Sequence, residues 1–297
     1  NISIYGQEYT GTTYKLAKMN LAIRGISGNL GEVAADTFTR DQHPDLKADF
    51  IMANPPFNQD DWRTSDELIH DARWAGYDVP PASNANYGWI LHMVSKLSEN
   101  GVAGFILANG ALSGGGEEYK IRRKMIENDL VEAIMVLPRD MFYTTDISVT
   151  LWILNKNKKE HTVKLNGVTK HYRDRTGEIL FVDLRRWGSE YEKMFVQLTP
   201  EDIAKVAANF HNWQQVDCAK TYKNVPEYCH SANANDVKAN DFSLVPSKYI
   251  EFIDRDSGID FDTEMKRIQK TFKAILAEEA ESQAELKRAF KGLGYEV

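Results

Sequence analysis

Asn54, Pro55, Pro56 and Phe57 set an amide, a rigid double proline and an aromatic ring side by side. They follow the apolar run Asp49–Ala53 (DFIMA), which reads as a buried strand. Proline fixes its own φ and restricts the residue before it, so two in succession hold the Asn54 side chain and the Pro55 carbonyl in one geometry. Both present acceptor oxygens, and Phe57 adds a flat apolar face. In an open parallel sheet, ligands bind at the carboxyl ends of strands. Two aimed acceptors there suit an exocyclic amino group on a flat heterocycle. Its nitrogen lone pair is delocalised into the ring and is a poor nucleophile. Acceptors on the amino hydrogens draw the nitrogen toward tetrahedral geometry and localise that pair. A base in a duplex must flip out to be reached, and it then stacks on aromatic side chains. Methyl transfer from a sulfonium donor needs positioning more than a strong base.

The elements that must hold this elbow alternate. Ile2–Tyr5 reads as a strand, Thr12–Arg24 as a helix stopped by Gly25, and Asn29–Ala35 as a weak strand. The buried strand before Asn54 is followed by a loop region, Trp62–Ala85, with Pro80-Pro81. Helix Tyr87–Leu97, strand Gly101–Leu107 and helix Glu117–Asn128 come next. Leu130–Leu137 and Ser148–Leu154 are strands with no helix between them, which predicts an antiparallel hairpin at one edge. Such alternation builds a mostly parallel sheet with helices on both faces. A boundary is expected at 155/156, giving a catalytic domain over 1–155 and a second region over 156–297. In the second region Glu178–Asp183 reads as a strand, Thr199–Asn209 as a helix, Ser231–Asp241 as a polar loop and Phe261–Leu293 as a long helix.

The 297 residues suffice for one large or two ordinary domains. No apolar run is long enough to span a membrane, and the first residues lack the shape of a signal peptide. Two cysteines, Cys218 and Cys229, are too few for a disulfide framework, so a cytoplasmic location is expected. Cytosine-C5 chemistry needs a cysteine nucleophile, and neither cysteine stands beside an aimed strand end. The histidines, His43, His70 and His92 among them, lack zinc-pair spacing and read as surface or capping residues. Arg122-Arg123-Lys124 reads as a solvated helix face. The net charge of −7 requires a local patch or a partner to supply attraction for DNA. From Lys156 to Arg186 there are nine Lys/Arg against four Asp/Glu. This stretch suits either DNA phosphates or an exposed loop.

Asn54-Pro55-Pro56-Phe57 resembles the catalytic motif of amino-methyltransferases acting on adenine N6 or cytosine N4. The phrases YGQE, MNLAIRGI, ADTF, DQHPDLKADFIMANPPFN and ANGALSGGGEEYKIRRKMIENDLVEAIMVLP narrow this. They resemble the modification subunit of type I restriction–modification systems, an adenine-N6 DNA methyltransferase. The likeness continues through RTGEILFVDLR and DFSLVPSKYIEF. It implies an α/β fold: a Rossmann-like methyltransferase sheet, N-terminally truncated, followed by a mainly helical C-terminal region. It implies S-adenosyl-L-methionine as cofactor. Glu8, after the first strand, is expected to hold the cofactor ribose, the place an acidic residue takes in dinucleotide-type folds. Asp36 is expected to accept from the cofactor's adenine amino group and Phe38 to flank that ring. The competing reading of Glu8 is a solvated turn carboxylate, and of Asp36 a turn or cap residue. The family's glycine-rich cofactor loop is expected ahead of Asn1. Gly114–Gly116 reads as a flexible turn instead, so activity of this chain alone is open. Alternatives are an RNA or protein-amide methyltransferase and a catalytically incomplete structural subunit.

The implied partners are DNA, a specificity subunit, a second modification subunit and a restriction (translocase) subunit. Phe261, Met265, Ile268, Phe272 and Ile275 follow a four-three alternation. It lapses at Glu279 and Ser282 and resumes at Leu286, Ala289 and Leu293. A seven-residue repeat marks packing against another helix. The resemblance places helices of the specificity subunit there; a helix docked on its own domain is the alternative.

Overall fold

The computed structural model describes residues 2–143, 146–165, 167–192, 194–218, 220–253 and 260–293. The first elements are β1 (Ile4–Tyr5), α1 (Gly11–Ile23), β2 (Gly28–Asn29) and β3 (Ala48–Ala53). Then come α2 (Asn86–Lys96), β4 (Leu97–Ala108), α3 (Gly116–Glu127), β5 (Val131–Val136) and β6 (Val149–Asn155). The hairpin β7 (His161–Leu165) and β8 (Val168–Tyr172) precedes β9 (Glu178–Asp183) and a second hairpin, β10 (Ser189–Tyr191) and β11 (Phe195–Gln197). α4 (Pro200–Gln214), β12 (Cys229–Asn233), α5 (Ala234–Ala239) and α6 (Phe261–Gly292) complete the order.

The main sheet has six strands in the order β12-β9-β5-β6-β4-β3. β3, β4, β5 and β9 run in one direction, while β6 and β12 oppose them. All six residues of β5 are buried, as a strand covered on both faces requires. Phe105 and Trp152 stack inside the sheet's core at 5.9 Å. β1 and β2 form a separate parallel pair, with Gly6 N–H extending it to the Asn29 carbonyl.

Four expectations are corrected. β3 is not a buried strand: it is the last strand on its side of the sheet, paired only with β4, and Phe50 and Met52 are 80% and 92% exposed. β5 and β6 do pair antiparallel, but β6 lies between β5 and β4 rather than at an edge, because β9 adds to the far side of β5. No break follows residue 155. β9 and β12, both beyond it, belong to the main sheet, and the compact units are Asn1–Phe252 and Ile253–Val297. The region after 155 is therefore mixed up to Phe252 and wholly helical only in α6. Ser231–Asp241 is not a loop but the end of β12 and all of α5. Asn233 caps α5 by accepting from the Asn235 and Asp236 backbones, while Asp236 accepts in return from Asn233.

α6 is a 32-residue helix, and none of its described side chains is buried. Its start is set by Asp260, whose carboxylate accepts from the Thr263 N–H and hydroxyl, both at 3.1 Å.

Candidate active site

Asn54 is the first residue beyond β3, and the β3–β4 ladder holds the chain up to it, Ala53 pairing with Phe105. Its side chain is exposed and Pro55 is buried. Phe57 is half-buried and packs against both apolar clusters of the core, one around Phe105 and Tyr87, the other around Leu137 and Val149. The ring thus has a fixed seat and a free portion. Among the described residues neither the Asn54 amide nor the Pro55 carbonyl is engaged in a hydrogen bond. The strand directions put Asn54 on the edge shared by the carboxyl ends of β4, β5 and β9. The sequence expectation of a polar residue at a strand's carboxyl end matches this placement.

Glu8 and Asp36 follow β1 and β2, whose parallel pairing brings both acids to one end of that pair. The Ala35 N–H donates to the Glu8 carbonyl at 2.9 Å. Gln7 joins the same two segments: its amide nitrogen donates to the Ala35 and Arg40 carbonyls, and its oxygen accepts from the Gln42 N–H. Asp36 Oδ1 accepts from the Phe38 and Thr39 N–H groups and the Thr39 hydroxyl. That is the turn role weighed against ligand binding, yet it occupies one oxygen only. Oδ2 of Asp36 and Oε2 of Glu8 accept no hydrogen bond among the described residues. Two half-buried carboxylates, each with an oxygen to spare, fit a ribose diol and an amino group.

Phe38, expected to flank the cofactor's adenine ring, lies in the core behind the Asp36 turn. It is 2% exposed, with Trp62 and Trp89 each 4.4 Å from its ring centre. It is a core ring, in the cluster on which Phe57 also packs. Arg73 fastens this segment by donating to the Thr37 and Phe38 carbonyls and to Asp71. These bonds link the Asp36 turn to the loop after the elbow.

Residues 1–257 match the family model described as N-6 DNA Methylase. The chain belongs to that family. It is 42% identical over 298 residues to the HindI type I restriction enzyme methylase subunit of Haemophilus influenzae, covering 100% of this chain and 63% of that protein. The MjaIX methylase subunit of Methanocaldococcus jannaschii is 32% identical, covering 99% and 50%. The chain therefore spans about half to two-thirds of the length of these relatives. The fold is that of the type I methyltransferase subunit from Streptococcus thermophilus (TM-score 0.69, 23% identity, 84% of this chain and 48% of that one). It is likewise that of the EcoKI M protein (TM-score 0.60, 18% identity, 95% and 60%).

In this N-6 DNA methylase chain the basic stretch is divided: Lys158 and Arg175 are internal, while Lys156, Lys159, Lys164, Arg185 and Arg186 are exposed. Lys158 is buried and bonds Asp129 at 2.6 Å, and burial holds its amine below the usual lysine value. Arg175 and Glu132 are fully buried and pair at 3.0 Å. Arg173 pairs with Glu178 and Arg185 with Asp183. The strand directions also place residues 156–175 at the sheet edge opposite Asn54. Arg122 is not on a solvated face. It is 2% exposed and donates to the Phe242 and Gly114 carbonyls. His92 is not a surface residue either: burial, followed by the neighbouring Arg73, pushes its pKa down to about 4. Sequence reasoning passed over Gln7, although the YGQE phrase contains it; only the pairing of β1 with β2 reveals its bridging role.

Proposed function

We propose that this chain is the catalytic and assembly portion of a DNA adenine-N6 methyltransferase subunit in a type I restriction–modification complex. The observation that carries the reading is the elbow. An unengaged amide oxygen and an unengaged carbonyl oxygen stand together at the carboxyl end of β3, beside the half-buried ring of Phe57. Asn54 Oδ1 and the Pro55 carbonyl accept the two hydrogens of the adenine amino group and turn its lone pair away from the ring. Phe57 stacks on the flipped base. Asn54 needs no change of charge, since the amino nitrogen sheds its extra proton to water after transfer.

S-adenosyl-L-methionine, when bound, supplies an electrophilic methyl group on a sulfonium. Glu8 would hold its ribose and Asp36 its adenine amino group, with Phe38 as the wall behind them. DNA and the other subunits of the complex are the partners: a specificity subunit, a second modification subunit and a restriction (translocase) subunit. The exposed apolar strip of α6 supports helix packing with the specificity subunit. Among the described residues no helix is long and apolar enough to cross a membrane, and the proposed place of work is the cytoplasm.

The test is transfer of a labelled methyl group from S-adenosyl-L-methionine by the complete enzyme, offered duplex DNA, RNA or protein. Label in N6-methyladenine of DNA is the expected result. Label confined to RNA or protein would overturn the substrate assignment.

A further inference from the structure

Asn58 leaves the elbow with φ +49°, a left-handed conformation that asparagine tolerates better than most residues. Its backbone N–H and its side-chain oxygen both meet Asn86, and the oxygen takes a longer bond from Asn84 Nδ2 at 3.4 Å as well. The Asn58 N–H donates to Asn86 Oδ1 at 3.0 Å, and Asn86 Nδ2 donates back to Asn58 Oδ1 at 2.9 Å. Asn86 is 1% exposed and is the first residue of α2. Its own N–H is satisfied by Asn84 Oδ1 at 2.9 Å, so the amide stands in a fixed orientation. The chain just beyond is held too, by the Ala85 N–H on the Gln59 carbonyl at 2.8 Å.

A buried primary amide is costly unless its donors and acceptor are used. Here the oxygen and one N–H are used on the backbone and side chain of one residue, which fixes both the position and the rotation of that residue. The elbow is therefore pinned twice. Its entrance is held by the β3–β4 ladder and its exit by Asn86, with two prolines as the only backbone between Asn54 and Phe57.

We infer that Asn86 is a positioning residue for the transfer reaction, acting through Asn58 to hold Asn54 and Phe57 in register with the target base. This rests on the functional reading above and adds a residue outside the motif. Asn86 touches neither base nor cofactor in this scheme, so its loss should lower kcat and leave cofactor affinity, which depends on Glu8 and Asp36, in place.

The experiment compares three variants of the complete enzyme. Asn86→Ala removes both bonds. Asn58→Gly removes the side-chain acceptor at an exposed position while keeping the left-handed backbone, and it tests the inference should Asn86→Ala not fold. Asn58→Asp keeps every acceptor that Asn86 and Asn84 donate to. A misplacement near 1 Å can cost about a hundredfold in rate. The expected result is a kcat loss of about tenfold or more in Asn86→Ala and a smaller loss in Asn58→Gly. Cofactor Kd stays unchanged in both, and Asn58→Asp stays within about twofold of wild type. Wild-type kcat in folded Asn86→Ala or in Asn58→Gly overturns the inference. So does a loss in Asn58→Asp equal to that in Asn58→Gly. A wild-type enzyme that transfers no methyl group to DNA overturns the functional reading, and this inference with it.

Discussion

The Ala35 N–H donates to the Glu8 carbonyl at 2.9 Å, tying the two acid-bearing turns after β1 and β2 together. Gln7 repeats the tie with its side chain. The turns that carry Glu8 and Asp36 are thus fastened to each other, as the proposed cofactor site requires. Glu8→Gln keeps the shape and removes the charge from the hydrogen bonds to the ribose. Hydrogen bonds to a charged group contribute about 1.5–3 kcal/mol, so cofactor affinity should fall roughly tenfold or more with little change in Tm. Calorimetric titration of the complete subunit measures this. Unchanged affinity returns Glu8 to a turn role.

Phe57 is seated by two core clusters yet keeps part of its ring free. Base stacking on an aromatic side chain contributes about 1–3 kcal/mol in single-strand binding. Phe57→Trp should retain much of the methylation rate and Phe57→Ala should lose most of it. Equal rates in all three enzymes would remove stacking from the mechanism.

The buried pair Glu132–Arg175 also engages Asn155 and Gln214 through Glu132. Breaking a buried pair by removing one partner costs about 3–5 kcal/mol. Glu132→Ala should destabilise the Asn1–Phe252 unit by that order in urea unfolding. Lys159, Lys164 and Lys170 are outside these internal ion pairs, and they sit on the segment away from Asn54. Replacing all three with alanine should leave the salt dependence of DNA binding nearly unchanged. A slope reduced by about three would assign the basic segment to DNA after all.

Much of this was readable in the chain. The apolar runs gave β3 to β6 and β9, and the double proline after an apolar strand marked the elbow, although that strand lies at the sheet edge with Phe50 and Met52 exposed. What escaped had physical reasons. β12 and α5 are short and polar, without a period long enough to stand out, although Asn233 and Asp236 carry the capping-box spacing. The central place of β6 depends on β9 pairing with β5 across more than forty residues, and no local pattern encodes that. The charge count of the basic stretch left its role open, because it includes Lys158 and Arg175 without showing that Asp129 and Glu132 pair with them. The sequence also could not show that Trp62 and Trp89 pack against Phe38.

Phe261, Met265, Ile268, Phe272, Ile275, Leu286 and Leu293 of α6 are all exposed. Truncation after Asp260 in the complete subunit should leave a folded, cofactor-competent protein that no longer co-purifies with the specificity subunit. Undiminished co-purification would place the assembly surface elsewhere.

The central claim is that Asn54 and the Pro55 carbonyl activate an adenine amino group. Asn54 is exposed at a strand end, so Asn54→Ala opens no core cavity and should leave Tm and cofactor Kd close to wild type. The decisive measurement is single-turnover transfer of labelled methyl from S-adenosyl-L-methionine to duplex DNA by the complete enzyme carrying this substitution. The account predicts near-total loss of N6-methyladenine formation with cofactor binding retained. Methylation at the wild-type rate would contradict it.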